Sequence, residues 1–317
     1  MELTRDNYYT PEADREFMSC SQYQGWCECE AKQYAKLNGY WVDAPKEAFV
    51  LGNYFHTYFE GPEAHAQFKR EHLEDIYKTR IDKKTGETII TGMYAAYEQV
   101  EKMIKVAERD ELIQSLIAWP GENEVIMSGV LFGVPWRIRI DKYCPDMRVI
   151  IDWKTCANIQ ELRWNTSLKA YETFIDTYGY MMRAAVYSEI EKQYAGSNSD
   201  PHFIIVAISK QDYPDKEVLE LNHRQRYDYE LMQIKDRLPY IVRVKNGSVK
   251  PTRCGACDYC RATKKLFEIK PYYKLMPEFK GAREEDYAEG TMLADPQAQS
   301  ILEPVSPVQK ADTLEKV

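Results

Sequence analysis

The residues best suited to chemistry are two aspartates and a lysine in the segment RIRIDKYCPDMRVIIDWK: Asp141, Asp152 and Lys154. Pro145-Asp146 marks a tight turn, and a turn centred on 145–148 predicts antiparallel partners with Asp141 opposite Asp152 and Arg139 opposite Lys154. Strand side chains alternate, so Arg139, Asp141, Asp152 and Lys154 are expected on one face and Ile138, Ile140, Ile151 and Trp153 on the other. Carboxylates directly across a ladder have Cβ atoms about 4.5–5.5 Å apart and repel unless something neutralises them. A divalent cation does so, and hard oxygen ligands suit Mg²⁺ or Mn²⁺. Lys154, on the same face, can orient an attacking water or stabilise charge developing on phosphate. The chemistry this implies is metal-dependent phosphodiester hydrolysis.

A second constellation is Cys254-x2-Cys257-x2-Cys260, followed by Arg261 and Lys264. Three thiols are one ligand short of a tetrahedral site, and Cys27 or Cys29 can supply the fourth from the other end of the chain. Three readings stay open: a [4Fe–4S] cluster, Zn²⁺, or unmetallated buried thiols. Cys144 and Cys156 lie beside the aspartate hairpin and read as bystanders.

These groups must be held by a mixed set of elements. Helices are expected over Ser19–Leu37, Phe49–Phe59 and Met93–Ile117, the last with Tyr97, Val100, Ile104 and Ala107 along one stripe. TRIDKKTGETII reads as a polar loop or hairpin. From Gly121 the period changes to that of consecutive antiparallel strands, rich in β-branched and aromatic residues. A helix near Asp176–Lys192, a strand over 202–209 and a long helix over His223–Asn246 follow. That order predicts the α/β class, a mixed central sheet with flanking helices.

The 317 residues carry 42 Lys+Arg against 50 Asp+Glu, a net charge of −8, which excludes nucleic-acid binding through overall basicity. Beyond Gly281 three bases face eight acids, so that stretch alone holds −5 and the body is nearly neutral. A nuclease unit over 1–270 and an acidic, disordered tail over 271–317 are expected. Phosphate contacts must then be local: Arg137, Arg139 and Lys154 on the hairpin, with Arg183 added from a neighbouring helix. The alternative for Arg139 is a structural partner of Asp141 or Asp152. No apolar run approaches the roughly 18 residues of a membrane helix and the N-terminus has no basic or apolar leader, so a cytoplasmic location is expected.

The order Gly52-x3-His56, then Ile140-Asp141, then Asp152-x-Lys154 resembles the RecB-like branch of the PD-(D/E)xK nucleases, above all phage exonuclease VIII (RecE)-like domains, over most of 15–265. The resemblance implies a restriction-endonuclease-like core. It implies that Asp141, Asp152 and the Trp153 carbonyl hold the catalytic metal, that Lys154 serves the attacking water and that His56 contributes to a second metal position. His56 by itself would read as a core histidine. A glutamate on the following helix often joins such sites, which nominates Glu98 and then Glu101. The family's Q-x-x-x-Y motif survives as Tyr187 with Arg183 in place of the glutamine. The resemblance also favours Cys29 in an iron–sulfur staple joining the ends of the domain. It implies an exonuclease on double-stranded DNA ends, a RecT-type annealing partner and a homo-oligomer. The alternatives are an endonuclease or nickase, and a non-catalytic DNA-binding scaffold.

Overall fold

The computed structural model describes residues 1–44, 47–166, 168–267 and 269–272. The chain divides into a unit over Met1–Ala262 and a second over Thr263–Val317, so most of the expected tail lies outside the described residues. The helices are α1 (Pro11–Glu16), α2 (Cys20–Glu28), α3 (Glu30–Leu37), α4 (Glu47–Glu60), α5 (Pro62–Glu71), α6 (Leu73–Ile76), α7 (Ala95–Glu108), α8 (Glu111–Ala118), α9 (Phe174–Thr177), α10 (Tyr180–Ala195), α11 (Arg224–Lys245) and α12 (Asp258–Ala262). The strands are β1 (Tyr77–Ile81), β2 (Thr88–Met93), β3 (Glu122–Leu131), β4 (Val134–Cys144), β5 (Val149–Cys156), β6 (Arg163–Asn165), β7 (Ala170–Glu172), β8 (His202–Ser209) and β9 (Lys216–Glu220).

Five strands form the central sheet in the order β3-β4-β5-β8-β9. β5 and β8 are parallel and the other neighbours antiparallel, which makes the sheet mixed, as the sequence implied. The parallel pair needs a crossover, and the chain between them supplies α10. β5 and β8 are buried nearly throughout because helices cover both sheet faces. One face packs Trp136, Ile138, Ile140 and Ile150 against α2, α10 and α11. The other packs Ile151, Trp153, Val206 and Ile208 against α4, α7 and α8.

Three expected helices are each split, the one near Asp176–Lys192 by Gly179 (φ +68°) between α9 and α10. Cys29 adopts an extended backbone (φ −161°) between α2 and α3, and Asp110 caps α8 by accepting the Ile113 N–H at 3.0 Å. The β4–β5 register matches expectation where it exists: Lys142 faces Ile151, Tyr143 faces Ile150 and Cys144 faces Val149. The predicted sharing of faces is corrected. Ile138 and Ile140 lie in one core and Ile151 and Trp153 in the other. The reason sits one pair earlier. β3 and β4 pair on both sides of Glu124 and Asp141 but skip that pair, Glu124 has φ +60°, and the alternation of faces inverts across it.

Candidate active site

The inversion lies where the part of β4 before Lys142 separates from β5. Their ladder stops at Lys142–Ile151, one pair short of the aspartates. In place of the next backbone bond, the Asp141 carboxylate accepts the Trp153 N–H at 2.9 Å. β8 holds β5 in register through this region, with Asp152 beside Ile205 and Lys154 beside Ala207. β5 is therefore fixed on one edge and open on the other.

Two cations and an imidazole converge on the two carboxylates. Lys154 Nζ lies 2.7 Å from Asp152 Oδ2 and 3.6 Å from Asp141 Oδ2, and it donates to the Trp153 carbonyl at 3.0 Å. His56, from α4, places Nδ1 3.3 Å from Asp141 Oδ2. Arg183, from α10, approaches Asp152 Oδ1 at 3.7 Å. Burial alone would push the Asp141 carboxyl up; Lys154, His56 and the Trp153 N–H outweigh it and hold it well below the usual carboxylate range. Trp153 turns its ring to the opposite side and stacks on Phe59 with centroids 4.3 Å apart, which ties the catalytic strand to the helix bearing His56.

The fit to a divalent cation rests on this donor set. Two carboxylates and a carbonyl are hard oxygen ligands. Asp152 Oδ2 is buried, and although Lys154 is near, no donor is aligned to hydrogen-bond it. Such an oxygen suits an electropositive partner.

Glu98, nominated from sequence, is exposed on the first turn of α7, while Tyr97 and Val100 point into the core. Glu101 accepts hydrogen bonds from Tyr54 Oη and, at 3.1 Å, from Lys69 Nζ. The acids gathered beside Arg139 are Glu124, on which Asp141 acts electrostatically, and Glu60. Glu60 is one turn beyond His56 on α4, a spacing that puts both on one helix face and could have revealed it. Nothing in the sequence marks Glu124. It pairs with Arg139, which also lies 3.9 Å from Glu60, so the ion pairs of Arg139 are with these glutamates. Burial, opposed by Arg139 and reinforced by Asp141 and Glu60, pushes the Glu124 carboxyl up to about 8.

Two further residues expected at DNA are interior. Arg137 is 3% exposed, pairs with Asp14 and lies against the Tyr8 ring, because the N-terminal segment runs alongside β4 and covers it. Tyr187 is buried; its hydroxyl donates to the Arg139 carbonyl at 3.0 Å and its ring abuts Phe203. Of the cations assigned to phosphate, Lys154 and Arg183 face the site.

The structure gathers Cys29, Cys254, Cys257 and Cys260 so that their sulfurs all lie within 4.8 Å of one another. The break between α2 and α3 aims Cys29 at the cluster, and the Ala31 N–H donating to the Thr252 carbonyl at 2.9 Å secures the approach. Backbone N–H groups of Ala256 and Cys257 lower the Cys254 thiol to about 6, while burial raises Cys29 and pushes Cys257 up to about 12. Cys27 is outside the group.

A mixed sheet opened at paired carboxylates, with a lysine two residues along the same strand, defines the PD-(D/E)xK nuclease class. The chain belongs to the family described as a PDDEXK-like domain of unknown function (DUF3799), which matches residues 19–263. A crystal structure from Eubacterium rectale, provisionally described as an exonuclease, is similar at 34% identity and a TM-score of 0.76, over 87% of this chain and 99% of that one. The crystal structure of SSO0001 shares 12% identity over 73% of this chain and 91% of that one, with a TM-score of 0.24. No curated protein matches the chain. Among the described residues no helix is long and apolar enough to cross a membrane.

Proposed function

We propose that this chain is a divalent-metal-dependent deoxyribonuclease acting from the ends of double-stranded DNA. The carrying observation is the meeting of Asp141, Asp152, the Trp153 carbonyl and Lys154 at the parted end of β4 and β5. Mg²⁺ or Mn²⁺ held there by both aspartates and the carbonyl, with His56 alongside, would supply Lewis-acid activation of the scissile phosphate. Lys154 carries the charge that orients the attacking water and offsets the charge growing on phosphate. Arg183 holds Asp152 from its other oxygen, and the Asp141 bond to the Trp153 N–H fixes the separation of the two strands.

Exonuclease action is favoured by the description of the Eubacterium rectale protein and by the RecE-like order of motifs. On this reading the product strands pass to a RecT-type annealing protein, the enzyme works in the cytoplasm, and it assembles as a homo-oligomer. The test is digestion of end-labelled linear and covalently closed circular duplex with Mg²⁺. Nucleotide release from the linear substrate alone is expected; equal cleavage of the circle would make the protein an endonuclease or nickase. No cleavage of either would leave the scaffold reading.

For the cysteine cluster we propose a single Zn²⁺. Cys29 and Cys260 sulfurs are 3.6 Å apart and Cys254 and Cys260 sulfurs 3.9 Å. Four thiolates at a Zn–S distance of about 2.3 Å span tetrahedral edges of about 3.8 Å. A cubane gives each thiolate its own iron and so spreads the sulfurs farther. Metal analysis of anaerobically purified protein tests this, with one zinc per chain expected and four irons refuting it.

A further inference from the structure

The chain between the catalytic strand and α9 forms a small hairpin, β6–β7, whose pattern is inverted. Register pairs share a face, so Trp164 and Tyr171 stand together on one side and Arg163 with Glu172 on the other. On the polar side Arg163, itself exposed, sits over the Tyr178 ring at 5.6 Å, and Asn165 donates to Glu172 across the hairpin at 2.7 Å. The aromatic side faces solvent, with Trp164 55% and Tyr171 68% exposed and their rings edge to face at 5.2 Å. A hairpin patterned for stability alone turns its aromatics inward.

The position of this face says what it meets. β5 ends at Cys156, two residues beyond Lys154, and Arg163 opens β6 after a short loop. A line of aromatic and cationic groups joins the two. Arg163 covers Tyr178, Tyr178 lies 6.0 Å from Tyr180, and Lys154 Nζ lies 5.9 Å from the Tyr180 ring. Arg183 stands over the same Tyr180 ring at 5.8 Å. Exposed aromatic faces interleaved with cations are the means by which proteins hold single-stranded nucleic acid, bases stacking on rings while cations track phosphates. Exposed Lys169, in the turn of the hairpin, adds a further cation.

We propose that Trp164 and Tyr171 form a stacking platform for an unpaired base of the substrate strand, on a hairpin whose other face meets the Tyr178–Tyr180 line running to Lys154. This rests on the nuclease reading. The platform works on bases, so it contributes to affinity and leaves the chemical step alone.

The test uses the full chain in Ca²⁺, which should occupy the site without turnover, and a single-stranded oligonucleotide paired with an abasic strand of equal length. Trp164 is the one strongly exposed tryptophan among the described residues, so acrylamide quenching reports on it directly. Binding of the oligonucleotide should protect Trp164, and the abasic strand should not. The double variant Trp164→Ala/Tyr171→Ala should weaken oligonucleotide binding at least about tenfold, equivalent to roughly 1.4 kcal/mol. Its binding to the abasic strand and its salt slope should be unchanged. Trp164→Phe/Tyr171→Phe should restore most of the loss. Mg²⁺-dependent hydrolysis of bis(p-nitrophenyl) phosphate, which has no base, should be the same in all variants. Wild-type affinity in the alanine variant overturns the platform, as does equal loss on both strands. So does a change in sedimentation from oligomer to monomer, which would make the hairpin a contact between copies of the chain. A wild-type protein that hydrolyses neither DNA nor the aryl ester fails the nuclease reading instead, and is told apart by that.

Discussion

Replacing Cys29 with serine should loosen the whole nuclease unit. Cys29 and Cys260 are 231 positions apart, so a metal joining them closes a loop that contains the sheet, both cores and the catalytic strand. Closing a loop of that length removes unfolded-state entropy worth about 5 kcal/mol on the chain-entropy account used for covalent cross-links. Three remaining cysteines within seven residues retain metal only locally and lose this term. For a unit of this size 1 kcal/mol corresponds to roughly 2–4 °C in Tm, so a fall of about 10–20 °C is expected. Differential scanning calorimetry with and without a zinc chelator measures it. Chelation should lower wild-type Tm by a similar amount and leave Cys29→Ser nearly unmoved, since both remove the same tie. Cys27→Ser serves as the control and should behave as wild type. An unchanged Tm in Cys29→Ser, or equal losses for Cys27 and Cys29, would refute the tie.

At the carboxylates, Asp152→Asn and Lys154→Ala should each reduce Mg²⁺-dependent DNA degradation by at least roughly 10²–10³-fold while circular dichroism stays native; full activity in both would end the assignment. Asp14→Ala should cost about 3 kcal/mol in urea unfolding, because the Arg137 Nε and Nη1 are buried without hydrogen-bond partners and Asp14 is the carboxylate paired with this guanidinium. DNA affinity in Ca²⁺ and its dependence on salt should be untouched by that change, the opposite of what a groove-lining Arg137 would give. His65 is buried against the Tyr54 ring at 4.7 Å, and burial first, then Lys69, lowers it from 6.5 to about 4. A depressed histidine contributes stability that is present above its unfolded value and is lost as pH falls from about 6.5 towards 4. Thermal unfolding of wild type should therefore decline through that window more steeply than His65→Phe; parallel pH profiles would show that His65 titrates normally.

Much of this arrangement was legible because it is local. The strand over 202–209 and the helix over His223–Asn246 were read within a residue or two, from unbroken β-branched and helical patterns. The turn at Pro145 fixed the register of β4 and β5, since the pairing around a tight turn follows from chain geometry alone. Two assumptions failed where tertiary packing intervened. Strict alternation hid the inversion at Glu124 and Asp141, because a positive φ at a glutamate has no signature in composition. Helical periodicity ran straight through Cys29, whose extended backbone is set by partners more than 200 residues away. Arg137 and Arg139 looked like phosphate ligands because their strand was imagined open to solvent; the N-terminal segment covers it, as the bridge from Met18 to Trp136 shows. The three-residue strands β6 and β7 were too short to announce themselves.

The inverted pair at Glu124 and Asp141 has a consequence for how such an enzyme can be tuned. Since alternation reverses there, the residues that β4 gives the first core change parity across Asp141, from Ile138 and Ile140 to Tyr143, while Cys144 faces the second. Asp141 is thus a fulcrum between two independently packed bodies. Adding or removing a methylene at Ile138 or Ile140 presses on it from one side, and a change at Phe59 or Trp153 presses from the other. On the proposed reading, the gap between the two aspartates would select among cations of different radius. Metal preference should therefore respond to core substitutions that never touch a ligand, with opposing changes in the two cores cancelling. Drift in either core would be corrected by a second change in the other, leaving the ligands themselves constant while the residues behind them vary in pairs.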